Sequence, residues 1–263
     1  MKIKAGWFLG FAMAASLCVA EPAKVPYIQL KTGEHLEVRA VRALDAGGNL
    51  EFVNGDGTFV LSRRLYDYAE ILCPEDVRAA EKLLIDKQPG KAVEAFAALA
   101  DKYRFLGWEN FCQYNRMRGM VQLNRVEEAL ALGEKVSAAE NHGDQELQNR
   151  WRCRRLLADL YRRLEKTDKA LATLREIASD CQDDEIALGA YNQEGDILLQ
   201  RKNPGEALLA YMRPVVMFDR EVSGREYALR QVVKLFKEQN DKRGEKFAAM
   251  LEKEYPEVKS EKK

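Results

Sequence analysis

Five small residues, Ala92, Ala129, Ala170, Ala207 and Gly244, recur along the chain at separations of 37, 41, 37 and 37 residues. Each follows a polar turn-forming stretch: Gln88-Pro89-Gly90, Asn124-Arg125, Lys166-Thr167-Asp168, Asn203-Pro204-Gly205 and Asn240-Asp241. Each also opens a segment whose apolar residues repeat at helical spacing. Self-similarity at this period is the signature of stacked helical hairpins. One hairpin cannot bury its apolar face alone, so neighbours stack into an elongated solenoid with a concave face. Such an architecture suits binding rather than catalysis.

The expected α-solenoid covers 74–256, with about five helical hairpins at 75–104, 107–140, 145–180, 184–220 and 224–255. Pro74-Glu75-Asp76 opens the first helix with a proline and two acids in its first turn. Asn141-His142-Gly143 and Tyr255-Pro256 are helix stops, and the charged residues 257–263 form an expected disordered tail. Pro214 falls inside an expected helix, where it removes a donor and kinks the axis.

Residues 25–72 read differently. Tyr27–Leu30, 35–44, 50–52 and 58–61 alternate apolar and polar side chains, and Tyr66 to Leu72 offers a fifth strand. Asn54-Gly55-Asp56-Gly57 is a hairpin turn, because Asn and Gly tolerate positive φ. In the second strand the apolar phase slips from Leu36, Val38 and Ala40 to Val41 and Ala43, which signals a bulge and a bend. Short bent strands in so few residues fit a small β-barrel.

Both parts carry family likenesses. Leu30-x-x-Gly33-x-x-Leu36-x-Val38-x-Ala40, then Asp56-Gly57-x-Phe59-x-Leu61 and Leu65, resembles the small SH3-like modules of the Sla1-homology type found in exported bacterial proteins. The helical part resembles the tetratricopeptide repeat (TPR). Its fourth unit places Tyr191, Gly195, Ala207 and Tyr211 at that family's aromatic, Gly, Ala and aromatic positions. The third unit offers Ala158, Tyr161 and Ala170, the first Ala80, Leu83, Ala92 and Phe96, and the fifth Gly244 and Pro256. Small residues are needed where helices pack 8–10 Å apart. The units run longer than the usual ~34 residues, and the second is irregular. The fold class is therefore α+β by parts: a small SH3-like β-barrel followed by a TPR-like solenoid.

In tetratricopeptide proteins the first helix of each unit lines the concave groove. The resemblance carries this role to Gln113 and Arg116 in the second unit, Arg152, Arg155, Asp159 and Arg162 in the third, and Asn192 and Asp196 in the fourth. Asn149-Arg150-Trp151-Arg152-Cys153-Arg154-Arg155 is locally very basic, and arginine forks suit carboxylates. An acidic peptide segment is one expected occupant. The alternative is a solvated helix neutralised by its neighbours. The family's clamp for a chain-terminal carboxylate finds no support, since its Lys and Asn fall on Val77 and Glu81. Trp108, Phe111, Tyr114 and Trp151 read as packing between helices. In the β-module, Tyr27, Phe52, Tyr66 and Tyr68 are the aromatics that would serve a glycan or peptide.

Lys2 and Lys4, an apolar run from Ala5 to Leu17, and Cys18-Val19-Ala20 before Glu21-Pro22 form the pattern of an export signal over 1–20, cut after Ala20. The run is short of the ~20 residues a membrane span needs. The expected location is periplasmic or extracellular, with no integral span after cleavage. Export permits disulfides. In an antiparallel hairpin the start of the first helix lies beside the end of the second, which would bring Cys153 to Cys181 in the third unit. Buried free thiols are the alternative.

Lys+Arg and Asp+Glu both total 42, so no global field favours nucleic acid. The two histidines, His35 and His142, are far apart, and no H-E-x-x-H, G-x-S-x-G, P-loop or dinucleotide glycine pattern occurs. No enzyme activity, cofactor or metal is expected. The sequence points to a binding scaffold for protein or peptide, with a subunit of a cell-envelope assembly complex and a glycan- or peptidoglycan-associated module as alternatives.

Overall fold

The computed structural model describes residues 25–139 and 143–256. The expected export signal, the tail at 257–263 and His142 lie outside the described residues.

Among the described residues six strands come first: β1 (Tyr27–Leu30), β2 (His35–Glu37), β3 (Ala40–Ala43), β4 (Leu50–Asn54), β5 (Gly57–Leu61) and β6 (Tyr66–Glu70). They form two antiparallel three-stranded sheets in the orders β2-β1-β6 and β3-β4-β5. The single strand expected over 35–44 is two strands in different sheets. Val38 N–H bonds to Pro26 O and Arg39 N–H to Val53 O, both at 2.9 Å, so consecutive residues serve the two sheets in turn. The phase slip in the sequence is thus a switch of sheets rather than a bulge in one. The sheets are open: among the described residues no ladder joins β5 to β6, which are separated by a 3-10 turn at Arg63–Leu65.

Ten helices follow among the described residues: α1 (Glu75–Ile85), α2 (Pro89–Lys102), α3 (Glu109–Gln122), α4 (Val126–Ala138), α5 (Asp144–Arg163), α6 (Thr167–Asp180), α7 (Asp184–Gln200), α8 (Pro204–Met217), α9 (Arg225–Glu238) and α10 (Gly244–Glu254). They pair as five hairpins, and each pair closes through the same turn. Lys87, Asn124, Glu165, Lys202 and Asn240 all adopt left-handed φ between 53° and 58°. The residue after each one donates its N–H five residues back: Gln88 to Leu83 O, Arg125 to Met120 O, Lys166 to Tyr161 O, Asn203 to Leu198 O and Asp241 to Phe236 O, at 2.8–2.9 Å. This is the Schellman closure, which satisfies the orphan carbonyls at a helix end. The sequence period is therefore the period of one turn.

First helices touch across units, α1 on α3, α3 on α5, α5 on α7 and α7 on α9, while successive second helices meet only sparsely. The odd-numbered helices form the inner layer and the even-numbered ones the outer. Pro214 lies within α8, one turn from its end, and its carbonyl accepts from Phe218 N–H.

The change from strand to helix near residue 73 is not a break in the core. Ile28, Leu50 and Tyr66 of the β-module are packed in one cluster with Val77, Phe96, Leu106 and Trp108. Each such fully buried side chain contributes about 1.5–3 kcal/mol. Polar contacts fix the docking: Ala69 N–H bonds to Phe105 O at 3.2 Å, and Trp108 Nε1 donates to Ile71 O at 2.9 Å. Arg63 stacks on both Tyr66 and Phe105, 4.7 and 5.3 Å from the ring centroids. Gly143, before the third unit, packs against the Tyr68 ring and Glu70. The β-module thus sits on the connections between units as well as on the first hairpin.

The expected Cys153–Cys181 bridge is not formed. The buried Cys153 thiol faces α3 and donates to Asn110 O at 3.6 Å, while Cys181 donates to Asp183 O at 3.8 Å. Cys153 looks toward the preceding unit, away from the end of its own hairpin.

Candidate partner-binding site

All eight groove residues expected from sequence lie on the inner-layer helices α3, α5 and α7, and the third unit decides the charge of that layer. Its arginines do not share one face. Arg154 is ion-paired with Glu176 of α6, and Arg150 donates to Ser137 O of α4 at 2.7 Å, so both serve the outer layer. Arg162 and Arg163 bond to the two oxygens of Asp159 at 2.7 and 2.6 Å. Arg152 and Arg155 are the exceptions: among the described residues neither has a carboxylate within 4.0 Å. Arg152 donates to Asn149 Oδ1 at 3.3 Å. Arg155 lies across α7, where a Cβ on Gly189 would stand 2.5 Å from its Nη1. Gly189 leaves room for this guanidinium.

On the side toward the first unit, Glu81 of α1 feels both Arg118 of α3 and Arg152. Burial raises the Glu81 carboxyl, and the two arginines pull it back down. Arg118 also lies over the Tyr114 ring, 5.7 Å from its centroid, and donates to Asn115 Oδ1 at 2.8 Å.

On the side toward the fifth unit, Asn192 is buried and donates to Gly224 O at 2.9 Å. Asp196 accepts from Tyr211 at 2.5 Å and from Tyr227 of α9 at 2.6 Å. Burial, reinforced by Asp196, pushes both phenols well above their ordinary range, so they stay protonated donors. Asp196 is therefore occupied as an acceptor, whereas Arg152 and Arg155 keep donors to spare.

Gln113 and Arg116 are placed differently from the rest. Glu128 of α4 is lowered chiefly by its hydrogen bond from Arg125, with Arg116 adding to the effect, and both Gln113 Oε1 and Arg116 Nε are buried without a partner. Counting back from Arg155 and Asp159 by the separation of the turn residues Asn124 and Glu165 gives Tyr114 and Arg118. The turn sets the register, and the family pattern, applied to an irregular second unit, misses these two. Gly189 and Tyr227 also escaped sequence reasoning, and Glu81 entered it only as a position where the family's carboxylate clamp fails. Gly189 carries no sequence signal, since its role depends on a side chain from another unit.

The β-module offers no aromatic row. Phe52 and Tyr66 are buried, while Tyr27 and Tyr68 are half-buried and pack edge to face. Phe59, half exposed, stacks on Phe52 at 5.5 Å between centroids. Trp108 and Phe111 are buried and packed edge to face, and Trp151 lies under Arg154. Among the described residues no group of three or more His, Cys, Asp or Glu side chains converges as metal ligands, and no helix is long and apolar enough to cross a membrane.

The chain matches no known protein-family pattern and no curated protein. Solved structures do resemble it. The nearly identical TPR-like repeats of a candidate kinesin light chain from Podosopora anserina superpose with a TM-score of 0.51 at 13% identity, covering 68% of this chain and 92% of theirs. A single-substitution variant of those repeats gives the same figures. MamA of Desulfovibrio magneticus RS-1, from its residue 41 onward, gives a TM-score of 0.48 at 13% identity, covering 70% of this chain and 96% of its own. At such identity the likeness is one of fold: the helical part is TPR-like.

Proposed function

We propose that this protein is an exported, non-catalytic scaffold whose inner layer binds an acidic peptide segment of a partner protein. One observation carries the reading. Arg152 and Arg155 sit on the inner helix α5 with no carboxylate within 4.0 Å among the described residues, Glu81 reaching Arg152 only at longer range, while the other arginines of that helix are held by Glu176, Asp159 or a backbone carbonyl. Guanidinium forks in that state suit a carboxylate-bearing partner. Tyr114 and Arg118 extend the same face on one side, and Asn192 and Tyr227 on the other. The N-terminal segment acts as the export signal, and the β-module, read as an open SH3-like domain, holds the first units in place.

Crosslinking with mass spectrometry in the native organism tests this. Crosslinks from acidic partner segments to α5 and α7 are expected. Crosslinks confined to the β-module would overturn the groove reading and favour binding through that module.

A further inference from the structure

The outer layer holds a second, unrelated site. Where the outer helices α6 and α8 splay apart over α7 they leave a cleft of about 390 Å³. Its lining includes Arg175 from α6, Tyr191, Glu194 and Leu198 from α7, and Leu209 and Arg213 from α8. The volume falls in the range of small-molecule and side-chain pockets, ~300–1,000 Å³.

Glu194 sets the chemistry. Its side chain is only 4% exposed. Oε1 accepts from Arg175 Nε at 2.7 Å, but Oε2 is buried without a hydrogen bond, with Arg213 Nη1 3.8 Å away. A buried acceptor left unmade is costly, so a donor is wanted there. The two arginines are more than half exposed, at 55% and 53%. They repel a cationic donor and favour a neutral one. Arg213 already lies over an aromatic ring, Tyr191, at 5.7 Å from the centroid. Leu209, which lines the cleft, is 59% exposed, and Val216 and Met217, two turns further along α8, are 74% and 63% exposed, so this helix presents apolar side chains to a partner.

We propose that this cleft receives a tryptophan or tyrosine side chain of a protein partner. The ring lies on Leu198 and Leu209 with the guanidiniums of Arg175 and Arg213 against its faces, and the indole N–H or phenol O–H donates to Glu194 Oε2. Arg213 swings from above Tyr191 to admit the ring. Aromatic residues with a polar tip are the usual anchors of protein interfaces. The site lies on the layer opposite the groove, so its failure leaves the groove reading untouched.

The test is a titration of the isotope-labelled full chain with N-acetyl-tryptophanamide, N-acetyl-tyrosinamide and N-acetyl-phenylalaninamide, followed by amide chemical shifts. Saturable shifts around Ala178, Leu209 and Ala210 are expected with the first two, and about tenfold weaker binding with the phenylalanine amide, which lacks the donor. Leu209→Glu, at an exposed position, should abolish the shifts without unfolding the chain. Equal binding of all three amides would overturn the assigned chemistry. Absence of saturable shifts in this cleft, or their persistence in Leu209→Glu, would overturn the site.

Discussion

Gly195 of α7 meets Tyr211 of α8 so closely that a Cβ on the glycine would stand 2.5 Å from the phenol ring. Met117 and Gly133 make the corresponding contact in the second unit with the sizes exchanged, and there a Cβ on the glycine would stand 2.7 Å from Met117 Cε. The sequence separation is the same in both pairs. What the hairpin requires is one large and one small residue where its helices cross, on either helix.

Gly195→Ala should destabilise the protein by about 1–3 kcal/mol, since the Tyr211 ring is held by its bond to Asp196 and cannot retreat. Gly133→Ala should cost less, because the nearest atom it meets is the end of a flexible methionine and the Leu157 atoms stand at 3.2 and 3.5 Å. Thermal or denaturant unfolding of the two variants gives the order.

The recurring left-handed turn makes a second prediction. Lys87, Glu165 and Lys202 occupy it with a Cβ that the conformation disfavours, whereas Asn124 and Asn240 are the better tolerated choice. Replacing any of the first three by glycine should stabilise by about 0.5–1 kcal/mol, after the larger chain entropy of unfolded glycine is subtracted. Asn124→Gly and Asn240→Gly should change stability much less. Denaturant midpoints of the five single variants check this.

The helical array was legible because its period is written twice, in the small residues Ala92 to Gly244 and in the polar turns before them. The irregular second unit was not, because its small residue, Gly133, sits on the opposite helix from Gly195. The break at Val38-Arg39 was visible as a phase slip, but alternation alone does not distinguish a bulge from a change of sheet. Within the basic stretch of α5 only Arg152 and Arg155 carry the groove expectation. Composition marks seven residues as a block, while helix geometry sends Arg150 and Arg154 outward and leaves Arg152 and Arg155 inward.

Glu146 of α5 provides a pH prediction. It is buried between units, accepts from Asn110 N–H at 2.8 Å, and has its other oxygen unpartnered. Burial, with the carboxylates of Glu109 and Glu70 adding to it, pushes the carboxyl up to about 8, against the backbone hydrogen bonds that lower it. The folded state thus holds a proton that the unfolded chain releases at ordinary carboxylate pH. Stability from this group is complete below about pH 4.5 and is lost as pH rises toward 8, with a slope of at most about 1.4 kcal/mol per pH unit. Glu146→Gln keeps the neutral shape and should flatten unfolding free energy measured between pH 5 and 8.

Arg152 and Arg155 carry the proposed function, and the direct measurement is partner recovery by quantitative co-purification from the native organism. Each charge-assisted hydrogen bond contributes about 1.5–3 kcal/mol, so Arg152→Glu combined with Arg155→Glu should reduce recovery at least tenfold while the melting curve stays intact. Arg163→Glu, whose side chain is bound to Asp159, serves as the control and should leave recovery near wild type. Undiminished recovery with the folded double variant would contradict binding through the inner-layer arginines.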